Sequence, residues 1–188
     1  YFIDNDDFFQ KRNESGDDNG EEYEDNGERA IFYARGVLET VKKLRWMPDI
    51  IHCQGWMSSI VPLYVKTAYR EEPSFRDSRV IYTPGGDVLQ KPMDGDFINS
   101  LLFKDVTKEV VAGLPEQIYE QDLNRLALDY SDGLLLTQER MDEALADYAA
   151  ERGIDVMKME QPVAGANGAA FVDFFNNVWS KGKEEEEK

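Results

Sequence analysis

Asp49-Ile50-Ile51-His52-Cys53, set between Pro48 and Gly55, is the stretch whose reading decides the fold. A short apolar run bounded by Pro and Gly is how a strand buried on both faces is written, and such strands belong to parallel sheets. The pattern recurs at Arg79-Val80-Ile81-Tyr82-Thr83, cut off by Pro84-Gly85-Gly86, and at Gly133-Leu134-Leu135-Leu136-Thr137. Residues 155–160 read as a further strand, and Tyr1-Phe2-Ile3 as a short one at the start.

Helical periodicity fills the intervals. Over residues 26–45, Ile31, Ala34, Leu38, Val41 and Leu44 fall on one apolar stripe. Asn26 is expected to cap that helix, Glu28 favours its positive end, and Lys42, Lys43 and Arg45 suit its last turn. Residues 57–69 carry Ile60, Val61, Tyr64 and Ala68 along one side, with Pro62 in the first turns, where a missing N–H matters least. Further helices are expected over 97–104, 115–130, 138–152 and 169–179, with residues 165–168 as a flexible linker before the last.

Strands alternating with helices at crossover spacing predict an α/β chain, a Rossmann-like doubly wound parallel sheet. The expected division is one domain over 1–180 and a charged tail over 181–188. In such sheets ligands bind beyond the carboxyl ends of the strands, near the topological switch point. The segments to watch are therefore 52–56, 83–87 and 137–139.

Composition narrows the partners. The chain has 188 residues, 41% of them hydrophobic and 12% aromatic, which suits one globular domain. No apolar run approaches the ~18–20 residues that span a bilayer. With 21 basic against 38 acidic residues the net charge is −17. That balance argues against nucleic acid and against an anionic membrane surface. Much of the acid lies in residues 14–28 and 184–187, which read as solvated. A single cysteine excludes an internal disulfide or a multi-thiolate metal site and fits a reducing cytoplasm, and a single histidine leaves no ligand set for zinc. The opening Tyr-Phe-Ile-Asp-Asn has neither the basic nor the apolar region of a secretory signal, and it starts inside a strand without Met, so preceding sequence is expected.

His52 has two readings: a donor or acid/base toward a ligand, or a hydrogen-bonded histidine tying the strand end to its neighbour. His52 and Cys53 point to opposite faces, so they form no catalytic pair. Gly85-Gly86 would admit a phosphate to backbone amides, but it lacks the G-x-G-x-x-G spacing and the Walker lysine, and Pro84 favours a plain turn. The acidic pairs Asp17-Asp18 and Glu21-Glu22 fail the EF-hand spacing and read as a solvated loop. Trp46, Trp56 and Trp179 are expected in the core or partly buried, with Trp56 also placed to stack on a sugar.

Several motifs in series carry more specific information. Tyr-Phe-Ile-Asp-Asn-Asp-Asp-Phe-Phe (1–9), Asp-Asn-Gly-Glu-Arg-Ala (25–30), Leu-Arg-Trp-Met-Pro-Asp-Ile-Ile-His-Cys-Gln-Gly-Trp (44–56) and Pro-Leu-Tyr-Val-Lys-Thr (62–67) occur in order. Together they resemble the N-terminal catalytic domain of bacterial glycogen and plant starch synthases, in particular the short stand-alone forms of Bacteroidetes, with a weaker echo over 126–137. The resemblance implies one partial half of a GT-B fold. It implies a retaining transfer of glucose from ADP-glucose to an α-1,4-glucan, without a cofactor or metal, in the cytoplasm. It places His52, Gln54, Gly55, Trp56 and Thr83 at the substrate.

This chain also departs from that pattern. The family's strand end reads His-x-His-Asp-Trp, and here its second histidine is Gln54 and its aspartate Gly55; the His-Asn after the next strand is Thr83-Pro84-Gly85-Gly86. The family's Lys-x-Gly-Gly donor loop has no counterpart after Tyr1, nor has its C-terminal domain with the Arg/Lys phosphate clamp. The expectation is a glucosyltransferase domain that is incomplete or inactive alone, with a second polypeptide as the partner that would complete the cleft. The alternative is a non-catalytic glucan-binding or regulatory module on the same fold.

Overall fold

The structure is a computed structural model that describes residues 5–86, 88–160 and 166–186. In chain order it contains α1 (Asn26–Lys43), β1 (Ile50–Gln54), a 3₁₀ turn at Trp56–Ser58, α2 (Val61–Lys66), β2 (Arg79–Thr83), α3 (Phe97–Leu101), α4 (Glu120–Asp129), β3 (Gly133–Thr137), α5 (Glu143–Glu151), β4 (Asp155–Met159) and α6 (Ala166–Glu186). The four strands form one parallel sheet in the order β1-β2-β3-β4. In register, His52 lies opposite Ile81 and Gln54 opposite Thr83.

Alternation along the strands sends side chains to two separate cores. Cys53, Val80, Tyr82, Leu134 and Leu136 pack with the apolar stripes of α1, α2, α4 and α5. Ile81, Leu135 and Met159 face the other way, where Val178, Phe171, Phe174 and Phe175 of α6 cover them. Leu134 and Leu136 are fully buried, and each such side chain contributes roughly 1.5–3 kcal/mol of burial free energy. Both faces of the parallel sheet are thus covered, as an α/β fold requires.

The strand order itself differs from expectation. It follows the chain without reversing, because α2, α4 and α5 all return over the same face and each new strand adds at the same side. No topological switch point falls among the described strands. β1 is an edge strand there, so His52 and Gln54 keep solvent contact, while β2 and β3 are the strands buried on both faces.

Local differences have identifiable causes. The helix expected over 57–69 is split into a 3₁₀ turn and the short α2, with Pro62 in the first turn of the latter. The helix expected from residue 138 begins at Glu143, because the Asp142 carboxylate accepts the Leu145 N–H and sets the cap. Likewise α4 begins at Glu120, where Asp122 Oδ2 accepts the Tyr119 N–H. Asn26 is not the cap of α1 but its first residue, and its amide donates to the Ser15 carbonyl. Trp46, expected in the core or partly buried, is 62% exposed. The last helix takes in residues 166–168 and 180–186, beyond the span expected for it. The strand expected at Tyr1-Phe2-Ile3 lies outside the described residues.

The acidic stretch before α1 is tethered instead of freely solvated. Arg29, 1% exposed, donates to the carbonyls of Phe8 (3.0 Å), Asn13 (3.0 Å) and Glu14 (2.7 Å) and to Asn26 Oδ1 (2.8 Å). Arg12 grips Asp25 with both terminal guanidinium nitrogens, at 2.8 and 2.5 Å. Among the described residues no helix is long and apolar enough to cross a membrane.

Candidate functional site

The three loops that follow β1, β2 and β3 meet. The Gly55 N–H donates to the Thr83 carbonyl (2.9 Å). Gly55 itself sits at φ 77°, ψ 171°, a region of backbone space open essentially to glycine alone. A Cβ added at Gly85 would lie 3.1 Å from Gly55 Cα, and one at Gly86 would lie 3.5 Å from Glu139 Cβ. Arg140 Nη1 reaches the Gly85 carbonyl at 3.4 Å. Segments 52–56, 83–86 and 137–140 therefore converge at the carboxyl ends of the sheet; Asp87 lies outside the described residues.

Within this convergence the anticipated residues take different positions. His52 Nε2 pairs with Thr83 Oγ1 at 2.8 Å, joining β1 to β2. Its ring meets Phe175 edge-on (5.3 Å, 88°) and Phe171 (6.4 Å). The residue keeps solvent contact, yet this crowding strips water from the ring and holds its pKa below the ordinary value of 6.5. That is the geometry of a strand-tying histidine. Thr83 is 1% exposed, with its hydroxyl taken by His52. Gln54 turns its side chain to solvent, while its carbonyl accepts the Ser58 hydroxyl at 2.8 Å. Cys53 lies on the opposite face from His52, and burial pushes its thiol up to about 12.

Trp56 takes the core position expected for it. The indole is 1% exposed, and its Nε1 has no hydrogen-bond partner among the described residues. The ring belongs to the core beneath α1 and offers no face to a sugar.

The lowered His52 pKa makes a prediction with a definite sign. Between the ordinary value of 6.5 and the lower folded value, the unfolded chain binds more protons than the folded one. The His52 contribution is therefore complete above pH 6.5 and is lost as pH falls below it. Urea midpoints at pH 7.5 and 5.5 are expected to show the wild type losing more stability than His52→Asn; equal losses would remove the crowding argument.

A polar network behind the loops escaped the sequence reading. Tyr82 donates its hydroxyl to Asn124 Oδ1 (2.6 Å), and Asn124 Nδ2 donates to Glu120 Oε1 (3.4 Å). Glu120, 1% exposed, also pairs with Arg140 and accepts the Leu89 N–H at 2.8 Å. Burial, reinforced by the Glu120 charge, raises the Tyr82 phenol far above its usual range, so it stays a neutral donor. The available signal was Glu120 standing three residues before Leu123 on the apolar side of a helix, a costly place for an unpaired acid. A second carboxylate, Glu22, accepts the N–H groups of Gln90 (2.7 Å) and Lys91 (2.8 Å), and Lys91 Nζ lies 3.1 Å from Glu21. Two acids thus strap residues 89–91 near the strand ends. Among the described residues no three His, Cys, Asp or Glu side chains are grouped to hold a metal ion.

Comparison with known proteins gives this geometry a context. The family model described as the starch synthase catalytic domain matches residues 1–155. The chain is 32% identical over 171 residues to a glycogen synthase of Chlorobium luteolum, covering 89% of this chain and 33% of that protein. A glycogen synthase of Thermodesulfovibrio yellowstonii is 42% identical over 83 residues, 44% of this chain and 16% of that protein. One from Clostridium perfringens is 29% identical over 139 residues, 74% of this chain and 27% of that protein. The chain spans about a third or less of the length of these relatives.

Proposed function

The chain belongs to the starch synthase catalytic domain family, and on that premise we propose that it is the acceptor-side part of a cytoplasmic glucosyltransferase. In this reading it works on an α-1,4-glucan and ADP-glucose, and it transfers glucose only when other residues complete the cleft. The observation that carries the reading is the convergence of the β1, β2 and β3 loops around Gln54, Gly55 and Gly85 at the carboxyl ends of the sheet.

The dependence on other residues follows from charge. A nucleotide-sugar donor needs cations aimed at its leaving phosphates. The loops after β1, β2 and β3 contain only two basic residues, Lys91 and Arg140, and each is paired with a carboxylate. Gln54 in turn can accept or donate a hydrogen bond to a sugar hydroxyl but cannot supply a protonated imidazole. The phosphate clamp is accordingly assigned to residues outside this chain, in a further domain or a second polypeptide.

The test incubates the purified chain with labelled ADP-glucose and a maltooligosaccharide primer, alone and mixed with the separately produced C-terminal half of a glycogen synthase. The expected result is transfer only in the mixture. Transfer by the chain alone would overturn the dependence on a partner. The pairing of both loop cations also favours a second reading, a glucan-binding module without chemistry. No transfer in either reaction, with heat of binding to maltooligosaccharide retained, would establish that reading instead.

A further inference from the structure

We propose that residues 89–91, in the loop after β2, form a cradle for a tetrahedral oxyanion such as phosphate, and that Glu22 is a built-in plug standing in that ligand's place. The site rests on its own geometry and does not depend on the glucosyltransferase reading.

Three successive backbone N–H groups of this loop end on carboxylates. Leu89 donates to Glu120 Oε2 at 2.8 Å, Gln90 to Glu22 Oε1 at 2.7 Å and Lys91 to Glu22 Oε2 at 2.8 Å. The Lys91 ammonium joins them, 3.1 Å from Glu21 Oε2 and 3.3 Å from the Glu22 carbonyl. Successive N–H groups turned toward one point make an anion-binding concavity, and a lysine beside them adds a full charge. Glu22 spans two of these N–H groups with its two oxygens, as one edge of an oxyanion would. The chain thus supplies its own anion to a site built for one.

Cradle and plug are held differently. Leu89 is 4% exposed and Glu120 1%, and Glu120 pairs with Arg140, which reaches the Gly85 carbonyl. These buried contacts fix the cradle to the strand ends without help from Glu22. Glu22 instead rides on a small hairpin over residues 15–23, closed by Asp17 N–H to the Glu21 carbonyl (2.8 Å) and Tyr23 N–H to the Ser15 carbonyl (3.0 Å). Among the described residues, the hydrogen bonds joining that hairpin to the loop are those of Gln90 and Lys91, all at exposed positions. Ligand exchange therefore breaks surface contacts only.

Charge selects the ligand. A phosphate group carries about −1.5 to −2 at neutral pH and three strong acceptor oxygens, against one charge and two oxygens for Glu22. It can serve both N–H groups and the ammonium at once, a task that Glu21 and Glu22 now divide. With the hairpin seated, the same two carboxylates repel an incoming anion, so plug and ligand exclude each other. The hairpin is a gate that opens to an oxyanion and stays shut to neutral molecules.

The test titrates the ¹⁵N-labelled chain with inorganic phosphate, holding ionic strength constant with chloride. Shifts are expected at the amides of Gln90 and Lys91 and along residues 15–23. Glu22→Gln, checked for folding by circular dichroism, is expected to bind phosphate at least tenfold more tightly than wild type, because the plug loses its charge. Adding Lys91→Ala to Glu22→Gln is expected to weaken that binding at least fivefold. ADP forms the second arm. Binding at these amides at least tenfold tighter than phosphate supports the cradle with a nucleotide as the source of the oxyanion, and equal binding supports it with free phosphate. An affinity unchanged by Glu22→Gln would overturn the plug. Shifts that leave residues 89–91 untouched, or no binding by either protein, would overturn the cradle, whereas the proposed function is judged separately by the transfer assay.

Discussion

Glu120→Ala is expected to cost about 3–5 kcal/mol, the usual penalty when one member of a buried ion pair is removed. Glu120 and Arg140 have side chains 1% and 16% exposed, so the guanidinium left behind stays largely out of water. The Leu89 N–H and the Asn124 amide lose their acceptor in the same step. Urea denaturation monitored by tryptophan fluorescence measures the loss. Glu120→Gln keeps an acceptor for Leu89 and should fall between wild type and alanine. The double variant Glu120→Leu with Arg140→Met removes both charges, and it should be more stable than Glu120→Ala alone. If the double variant is the worse of the two, the pair stabilises by more than avoided desolvation, and this account fails.

Arg29→Met is the second large effect, expected at about 3–4 kcal/mol. Hydrogen bonds to a charged group contribute about 1.5–3 kcal/mol each, and Arg29 makes four, three of them to loop carbonyls. The full sum is not reached, because the loop can open and let water reach the carbonyls. Burial lowers the Arg29 pKa, but arginine stays charged at any working pH. No carboxylate is among its four acceptors, so the loop backbone carries the compensation. Its ring neighbours Tyr23 (5.1 Å) and Phe9 (5.6 Å) add cation–π attraction. The distinguishing readout is limited proteolysis: residues 8–25 should be cut in Arg29→Met while the sheet remains protected. Arg29→Lys should restore little, since an ammonium cannot span the same fork of carbonyls. Unchanged protection in Arg29→Met would show that the Arg12–Asp25 pair suffices.

The contrast between these two residues and the strands shows what a sequence conveys. Arg79–Thr83 and Gly133–Thr137 are legible to the residue, because an apolar run ended by Pro, Gly or a polar turn has few other structural meanings. The meeting of three loops at the carboxyl ends is legible for a similar reason, being a property of parallel sheets at large. Strand order is not, since it depends on which face each crossover takes. Arg29 reads as one more polar residue in a helix start, because its acceptors are backbone carbonyls 15 to 21 positions away. Trp46 and Trp56 carry the same side chain, and only tertiary packing makes one 62% exposed and the other 1%. Tyr130 and Tyr148 are brought to one pocket by the packing of α4 against α5, which neither periodicity announces.

The contact between Gly55 and Gly85 constrains how this strand end can change. Placing an aspartate at position 55 would force a side chain into backbone geometry that costs about 1–3 kcal/mol outside glycine. Adding bulk at position 85 would push against Gly55 Cα. Gln54 beside them carries no such restriction, since its side chain points to solvent. The imidazole is thus one tolerated substitution away, whereas the acid next to it must wait for the backbone of two loops to move. Change at this strand end has an order built into it: a histidine at position 54 is tolerated before an aspartate at position 55.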